Sequence, residues 1–262
     1  MALPVPSPIA GLAGSAFGAL SALRGKRSFH PHGNGYRATL RIDGRHSRLT
    51  GVPLFDEQRS HEAVVRASRA LGLPESLPDL LGLAVRRPDA HGEGKPQDFL
   101  LVTSANGRLL HYLLLLAPAG FFGQSYSCIL PYRVGGDLRL VGAVPRRPAT
   151  PADGTDLEAL DEAVNDHQAR FELALASLGG RWDPFGELSL QERLPARETE
   201  ALCFNPWNTG GGIRPSGPLM GLRDPAYRGS QRARGADPGP PAMDPGEETS
   251  SRATTSTASR SS

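Results

Sequence analysis

Apolar and polar residues alternate with a period of two along short stretches of this chain, and the stretches are separated by turn-forming residues. In Arg37-Ala-Thr-Leu-Arg-Ile-Asp43 the apolar Ala38, Leu40 and Ile42 share one side and the polar residues the other, the pattern of a strand with one buried face. Similar runs lie at 63–69, 80–86, 98–103, 108–116, 137–143, 170–178 and 186–190. About eight strands punctuated by Gly72, Pro74, Pro88-Asp89, Asn106-Gly107 and Gly135-Gly136 predict an antiparallel barrel or curled sheet rather than parallel βαβ units. The 31 Gly and 24 Pro among 262 residues argue equally against a helical bundle or coiled coil. The expected class is therefore β-rich (α+β), with few helices. One helix is expected at 157–167, where Leu157, Leu160 and Val164 are spaced for a single face, and another at 225–234.

The ends carry little that could form a core. From Gly235 to Ser262 there is no Ile, Leu, Val, Phe, Tyr or Trp, and this Ser/Thr/Pro/Gly-rich stretch reads as a disordered tail. Residues 1–26 read as a flexible N-terminal segment, leaving 27–234 as the ordered domain, with a surface linker at 145–154. In residues 4–23 Pro and Gly interrupt the apolar run and no Lys or Arg precedes it, so neither a signal peptide nor a membrane span is expected. Two cysteines, Cys128 and Cys203, are too few for a disulfide framework and form no CxxC pair, which suits a reduced, cytoplasmic setting.

The formal net charge is +2, which provides no overall field toward nucleic acid or an acidic membrane. The basic residues are nonetheless unusual in kind, because Lys26 and Lys95 are the only lysines among 29 Lys and Arg. Most of the arginines should be solvated. A few could serve as planar forks for carboxylates or phosphates, a geometry lysine cannot supply.

The sequence has no P-loop, GxSxG elbow, HExxH or GxGxxG opening a helix. His30 and His32 form an HxH pair that could seed the metal site of a phosphohydrolase. Two richer segments bracket the domain. One is Arg27-Ser-Phe-His30-Pro-His-Gly33-Asn-Gly35. The other is Phe204-Asn-Pro-Trp-Asn-Thr-Gly-Gly-Gly-Ile213, followed by Arg223-Asp-Pro-Ala-Tyr227-Arg-Gly-Ser-Gln231-Arg-Ala-Arg234.

Together these resemble the haem catalase family, in particular its small, minimal members. Arg27, His30, Gly33 and Gly35 match the family's distal R-x-x-H-x-x-G-x-G. Phe204, Asn205, Pro206, Asn208, Gly212 and Ile213 match F-[DN]-P-x-N-x-x-x-G-I, and Arg223, Tyr227, Ser230, Gln231 and Arg234 match the ligand helix R-x-x-x-Y-x-x-[TS]-Q-x-x-R. Val65-Arg66-Ala-Ser68 is similar to the family's V-R-F-S strand, and Ser125-Tyr126-Ser127 to a segment of the small members. The resemblance spans roughly residues 27–234.

It implies a catalase-like eight-stranded antiparallel barrel whose last helix carries the haem-ligand tyrosine, with haem b as cofactor. Tyr227 would be the axial ligand of the iron, with Arg223 supporting its phenolate. His30 would be the distal acid/base and Ser68 the group that orients it, while Arg27, Arg66 and Arg234 would bind the haem propionates. The family's distal asparagine has no counterpart, and Gln97 is expected to supply the amide instead. No extension of the full-length kind follows Arg234, which implies a barer barrel with a more open pocket. The implied activity is reduction of hydrogen peroxide or an organic peroxide, with a small organic co-substrate. The alternative is a non-catalytic haem- or lipid-binding barrel acting as carrier or sensor. Neither nucleic acid nor a membrane is expected as partner, and a homo-oligomer is left open.

Overall fold

The computed structural model describes residues 32–44, 49–69, 79–105, 120–128, 131–148 and 156–216. They form ten strands: β1 (His32–Ile42), β2 (Arg59–Arg69), β3 (Leu81–Arg87), β4 (Gln97–Ser104), β5 (Ser125–Ser127), β6 (Tyr132–Val134), β7 (Asp137–Arg146), β8 (Arg170–Ser177), β9 (Asp183–Arg193) and β10 (Ile213–Pro215). Three α-helices accompany them: α1 (Pro53–Asp56), α2 (Asp156–Asn165) and α3 (Ala196–Ala201). All named strand pairs are antiparallel. The order β7-β5-β4-β3-β2-β1-β9-β8 returns to its start because β8 also pairs with β7, closing an eight-stranded barrel, while β6 and β10 extend from β7 as a short flap.

Alternation decides what lies inside. On β1 the inward residues are Tyr36, Ala38, Leu40 and Ile42, joined in the core by Val65 and Ala67 of β2, Leu81, Leu83 and Val85 of β3, Phe99 and Leu101 of β4, and Leu188 and Leu190 of β9. Aromatic rings fill the two ends. Phe55 of α1 meets Phe185 edge-on at 4.9 Å and lies 6.2 Å from Phe99, which in turn meets Tyr132. At the opposite end Phe171 packs against Tyr126 and Phe122. The interior is a packed core rather than a lumen.

Polar networks tie the plugs in place. Asp161 of α2 accepts hydrogen bonds from Tyr36 Oη (2.7 Å), Asn34 Nδ2 (3.1 Å) and Arg193 (2.8 Å), joining the helix to the start of β1 and the end of β9. Burial, then the neighbouring Asp161, pushes the Tyr36 phenol far above its ordinary range. Arg69, almost wholly buried, pairs with Asp79 at 3.6 Å and with Asp156. At the other end the Asp56 carboxylate accepts from the Thr50 and Gly51 amides and the Thr50 hydroxyl, fixing the turn into α1.

Seven of the expected strands are found, several of them longer than their alternating runs. The run at 108–116 lies outside the described residues. The remaining barrel strand is β5, whose three residues are too few to register as alternation. The linker expected at 145–154 is in part strand, since β7 continues with Pro145 opposite Phe171 and Arg146 opposite Arg170. The helix expected at 157–167 is α2, shifted by one or two residues, and the one expected at 225–234 lies outside the described residues. Cys128 and Cys203 are both free thiols.

Asp161→Ala should leave the Tyr36 hydroxyl without its acceptor and lower stability by about 2 kcal/mol, measured by chemical denaturation. Tyr36 and the buried Tyr126 both have raised pKa values. Their contribution is therefore complete below about pH 10, where unfolded tyrosine ionises, and is lost as pH rises above it. Tyr36→Phe should flatten that alkaline limb, and a limb of unchanged slope would overturn the assignment.

Candidate functional site

Because the inner face is core, the groups available for chemistry stand on the outer face. Strand register sets three rows of residues across β1 to β4. The first is Gly33, Ser68, Gly82 and Val102, the second Gly35, Arg66, Ala84 and Leu100, and the third Arg37, Val64, Arg86 and Asp98. Neighbouring strands lie about 4.8 Å apart, so the first two rows form a shelf of mostly small residues about 14 Å across.

The glycines of the shelf are required by close approach. A Cβ on Gly33 would lie 2.6 Å from the Ala67 carbonyl oxygen and 3.0 Å from a guanidinium nitrogen of Arg66. Arg66 therefore lies over Gly33, with Ser68 beside it. A Cβ on Gly35 would lie 2.8 Å from Thr199 Oγ1, the atom that accepts the Gly35 N–H at 3.2 Å. Helix α3 thus walls the shelf on the β1 side.

A second wall is built by the segment 203–208 over the third row. The Asp98 carboxylate is fully buried and receives Arg86 Nε at 2.7 Å and Nη2 at 2.6 Å, the Asn205 N–H at 2.8 Å and Asn208 Nδ2 at 2.8 Å. The Asp98 N–H donates to the Asn208 carbonyl at 2.9 Å. Arg86 also donates to the Cys203 carbonyl, and its guanidinium stacks 4.9 Å from the Phe204 ring centre. Burial pulls the Arg86 pKa down, but hydrogen bonding and charge pairing with Asp98 outweigh it and hold the group above its ordinary value.

Of the residues singled out in the sequence, Arg66 and Ser68 come together on one face, next to Gly33 and Gly35 of the first motif. Arg27, His30, Arg223, Tyr227 and Arg234 lie outside the described residues. His32 opens β1.

The expectation for Gln97 is corrected. It points to the inward side of β4 with Phe99 and Leu101, fully buried, its Oε1 3.0 Å from His91 Nε2 and its Nε2 donating to the Asp98 carbonyl at 3.2 Å. It stands opposite Arg87, five residues along β4 from Val102, the residue level with Ser68. At strand rise that is about 17 Å, and on the other face. Among the described residues no group of three His, Cys, Asp or Glu could hold a metal ion, so nothing described adds ligands to the HxH pair.

The Arg86–Asp98 pair escaped sequence reading, although the FNPWN segment that it binds did not. Asp98 adjoins Gln97, and one residue of strand offset separates a buried amide inside the barrel from the carboxylate that holds the outer wall. A carboxylate at the first residue of the expected strand 98–103 gave no sign of burial.

The shelf fits one edge of a planar, carboxylate-bearing group such as haem. Small side chains allow flat contact, and the Arg66 guanidinium, lying over Gly33, is a group of the kind that grips a carboxylate. No helix among the described residues is long and apolar enough to cross a membrane.

No family model matches the sequence, and no curated protein does. Among solved structures the chain is similar to a bacterial catalase, at 16% identity and a TM-score of 0.56 over 90% of this chain and 62% of that one. It is also similar to a fungal catalase, at 13% identity and a TM-score of 0.57 over 85% of this chain and 64% of that one. The chain thus spans less than two thirds of the length of these catalases, and at such identities the likeness concerns the fold. The fold is catalase-like: a closed antiparallel eight-stranded barrel with few helices.

Asp98→Ala removes the partner of a buried guanidinium and the acceptor of two further donors, and should destabilise the protein by about 3–5 kcal/mol. Asp98→Asn keeps an acceptor but no charge and should lose less. Trp207, inside the held segment, reports the change by fluorescence. A loss below about 1 kcal/mol in Asp98→Ala would contradict the anchoring role.

Proposed function

We propose that this protein is a haem b hydroperoxidase of catalase-like type, reducing hydrogen peroxide or organic peroxides with a small organic co-substrate. The observation that carries the reading is the pairing of Arg66 and Ser68 on the small-residue shelf of a catalase-like barrel, in register with Gly33 and Gly35. When bound, the haem would supply a ferric iron at which a peroxide O–O bond can be cleaved.

The chain's own residues have separate tasks in this reading. Arg66, with Arg27 and Arg234, holds the propionates through bidentate hydrogen bonds. Tyr227 would supply the phenolate that holds the haem iron. A phenol of ordinary pKa near 10 binds as phenolate only beside positive charge, which Arg223 helps to provide. His30 takes the first proton from the peroxide and returns it to the leaving oxygen. Ser68 hydrogen-bonds that imidazole and fixes its orientation. The protein works as a soluble cytoplasmic enzyme.

One observation favours a second reading, a non-catalytic haem carrier or sensor. With Gln97 turned into the barrel, the described residues offer no side-chain amide on the shelf to hold a bound peroxide. Storage of a lipid inside the barrel does not suit the filled core.

An absorption spectrum of the purified protein should show the Soret and charge-transfer bands of a high-spin ferric haem with tyrosinate ligation. Tyr227→Phe should lose the haem or those bands, and an unchanged spectrum would end the assignment.

Activity separates the two readings. His30→Ala should retain haem while peroxide turnover falls about 10²–10⁴-fold, and His32→Ala should change little. Equally slow turnover by wild type and His30→Ala, with hydrogen peroxide and with organic peroxides, would favour the carrier.

A further inference from the structure

The outward row that contains Ser68 does not stop at β4. Val102 stands opposite Ser127 of β5, and Ser127 opposite Gly142 of β7. One step further along β4, Ser104 faces Ser125. Three hydroxyls therefore share one outward patch on β4 and β5, with Ser104 and Ser127 at 0% exposure and Ser125 at 5%. The ring of Trp182 lies against Gly142 and closes the far end of the row.

The Ser104 Oγ atom is buried and has no hydrogen-bond partner among the described residues. A hydroxyl has one proton to donate and two lone pairs, and burying it without a partner is unfavourable.

We propose that Ser104, with Ser125 opposite it, binds a small hydroxylic molecule beside the shelf and positions it there. A ligand that both donates and accepts hydrogen bonds matches hydroxyl partners, and a patch so shielded from solvent favours a small one. Water and hydrogen peroxide share that chemistry. Ser104 is two strands and one residue pair from Ser68, about 12 Å, so the patch borders the face where the proposed reaction would run. The significance for peroxide rests on the hydroperoxidase reading, but the binding of a small hydroxylic molecule does not.

The test is high-resolution crystallography of the full chain, wild type and Ser104→Ala, before and after soaking in hydrogen peroxide. The expected result is density for an ordered oxygen within hydrogen-bond distance of Ser104 Oγ in wild type, lost in Ser104→Ala. Two-oxygen density after the soak identifies peroxide, and unchanged single-oxygen density identifies water. A Ser104 hydroxyl with no ordered neighbour, or one donating to a backbone carbonyl, overturns the proposal. In haem-loaded protein, peroxide as the ligand predicts a KM for hydrogen peroxide roughly 3- to 10-fold higher in Ser104→Ala, with less change for cumene hydroperoxide. If the protein binds no haem, the hydroperoxidase reading fails while the crystallographic result still decides the role of Ser104.

Discussion

The pairing of β7 with β8 governs the rest of the structure. It closes the sheet, and the interior so enclosed is filled by the barrel's own side chains. Every inward position is thereby committed to packing, and specific chemistry moves to the outer surface. There, α3 and the segment 203–208 supply the walls that the sheet cannot make for itself.

The outer shelf reverses the usual logic of a strand surface. Solvent-facing strand positions commonly hold long polar or β-branched residues, which fit the pleat. Here the first row is Gly33, Ser68, Gly82 and Val102, and the second brings Arg66 between Gly35 and Ala84. Small residues weaken a strand's local preference, so this face depends on the opposite, well-packed face to hold it flat. Arg66 and Gly33 depend on each other, because the guanidinium occupies the space that any side chain at Gly33 would need.

The barrel was legible in the sequence because burying one face leaves a period-two trace, clear in β1 and in the Ala63–Ala67 part of β2. That trace fails where a strand is short, as in β5, or where both faces are buried, as at the Gln97 end of β4. Motif spacing brought Gly33, Gly35, Arg66 and Ser68 to notice, and antiparallel register is what makes them neighbours. Gln97 was misplaced because motif comparison counts residues, whereas a one-residue offset in a strand exchanges inside for outside. The Arg86–Asp98 pair left no local trace, since its importance comes from residues more than 100 positions away.

The connectivity of β1 also orders events in time. Its pairing with β2, and the hairpins β2–β3 and β3–β4, involve residues near in sequence, so the shelf can assemble from the first part of the chain alone. The pairing of β1 with β9 spans some 150 residues and is entropically costly to close. Helix α3 and the Asp98-bound segment both follow β9, so the walls arrive only after that closure. On a growing chain the shelf therefore stands without its walls until residues 196–208 have been made and β9 has joined β1.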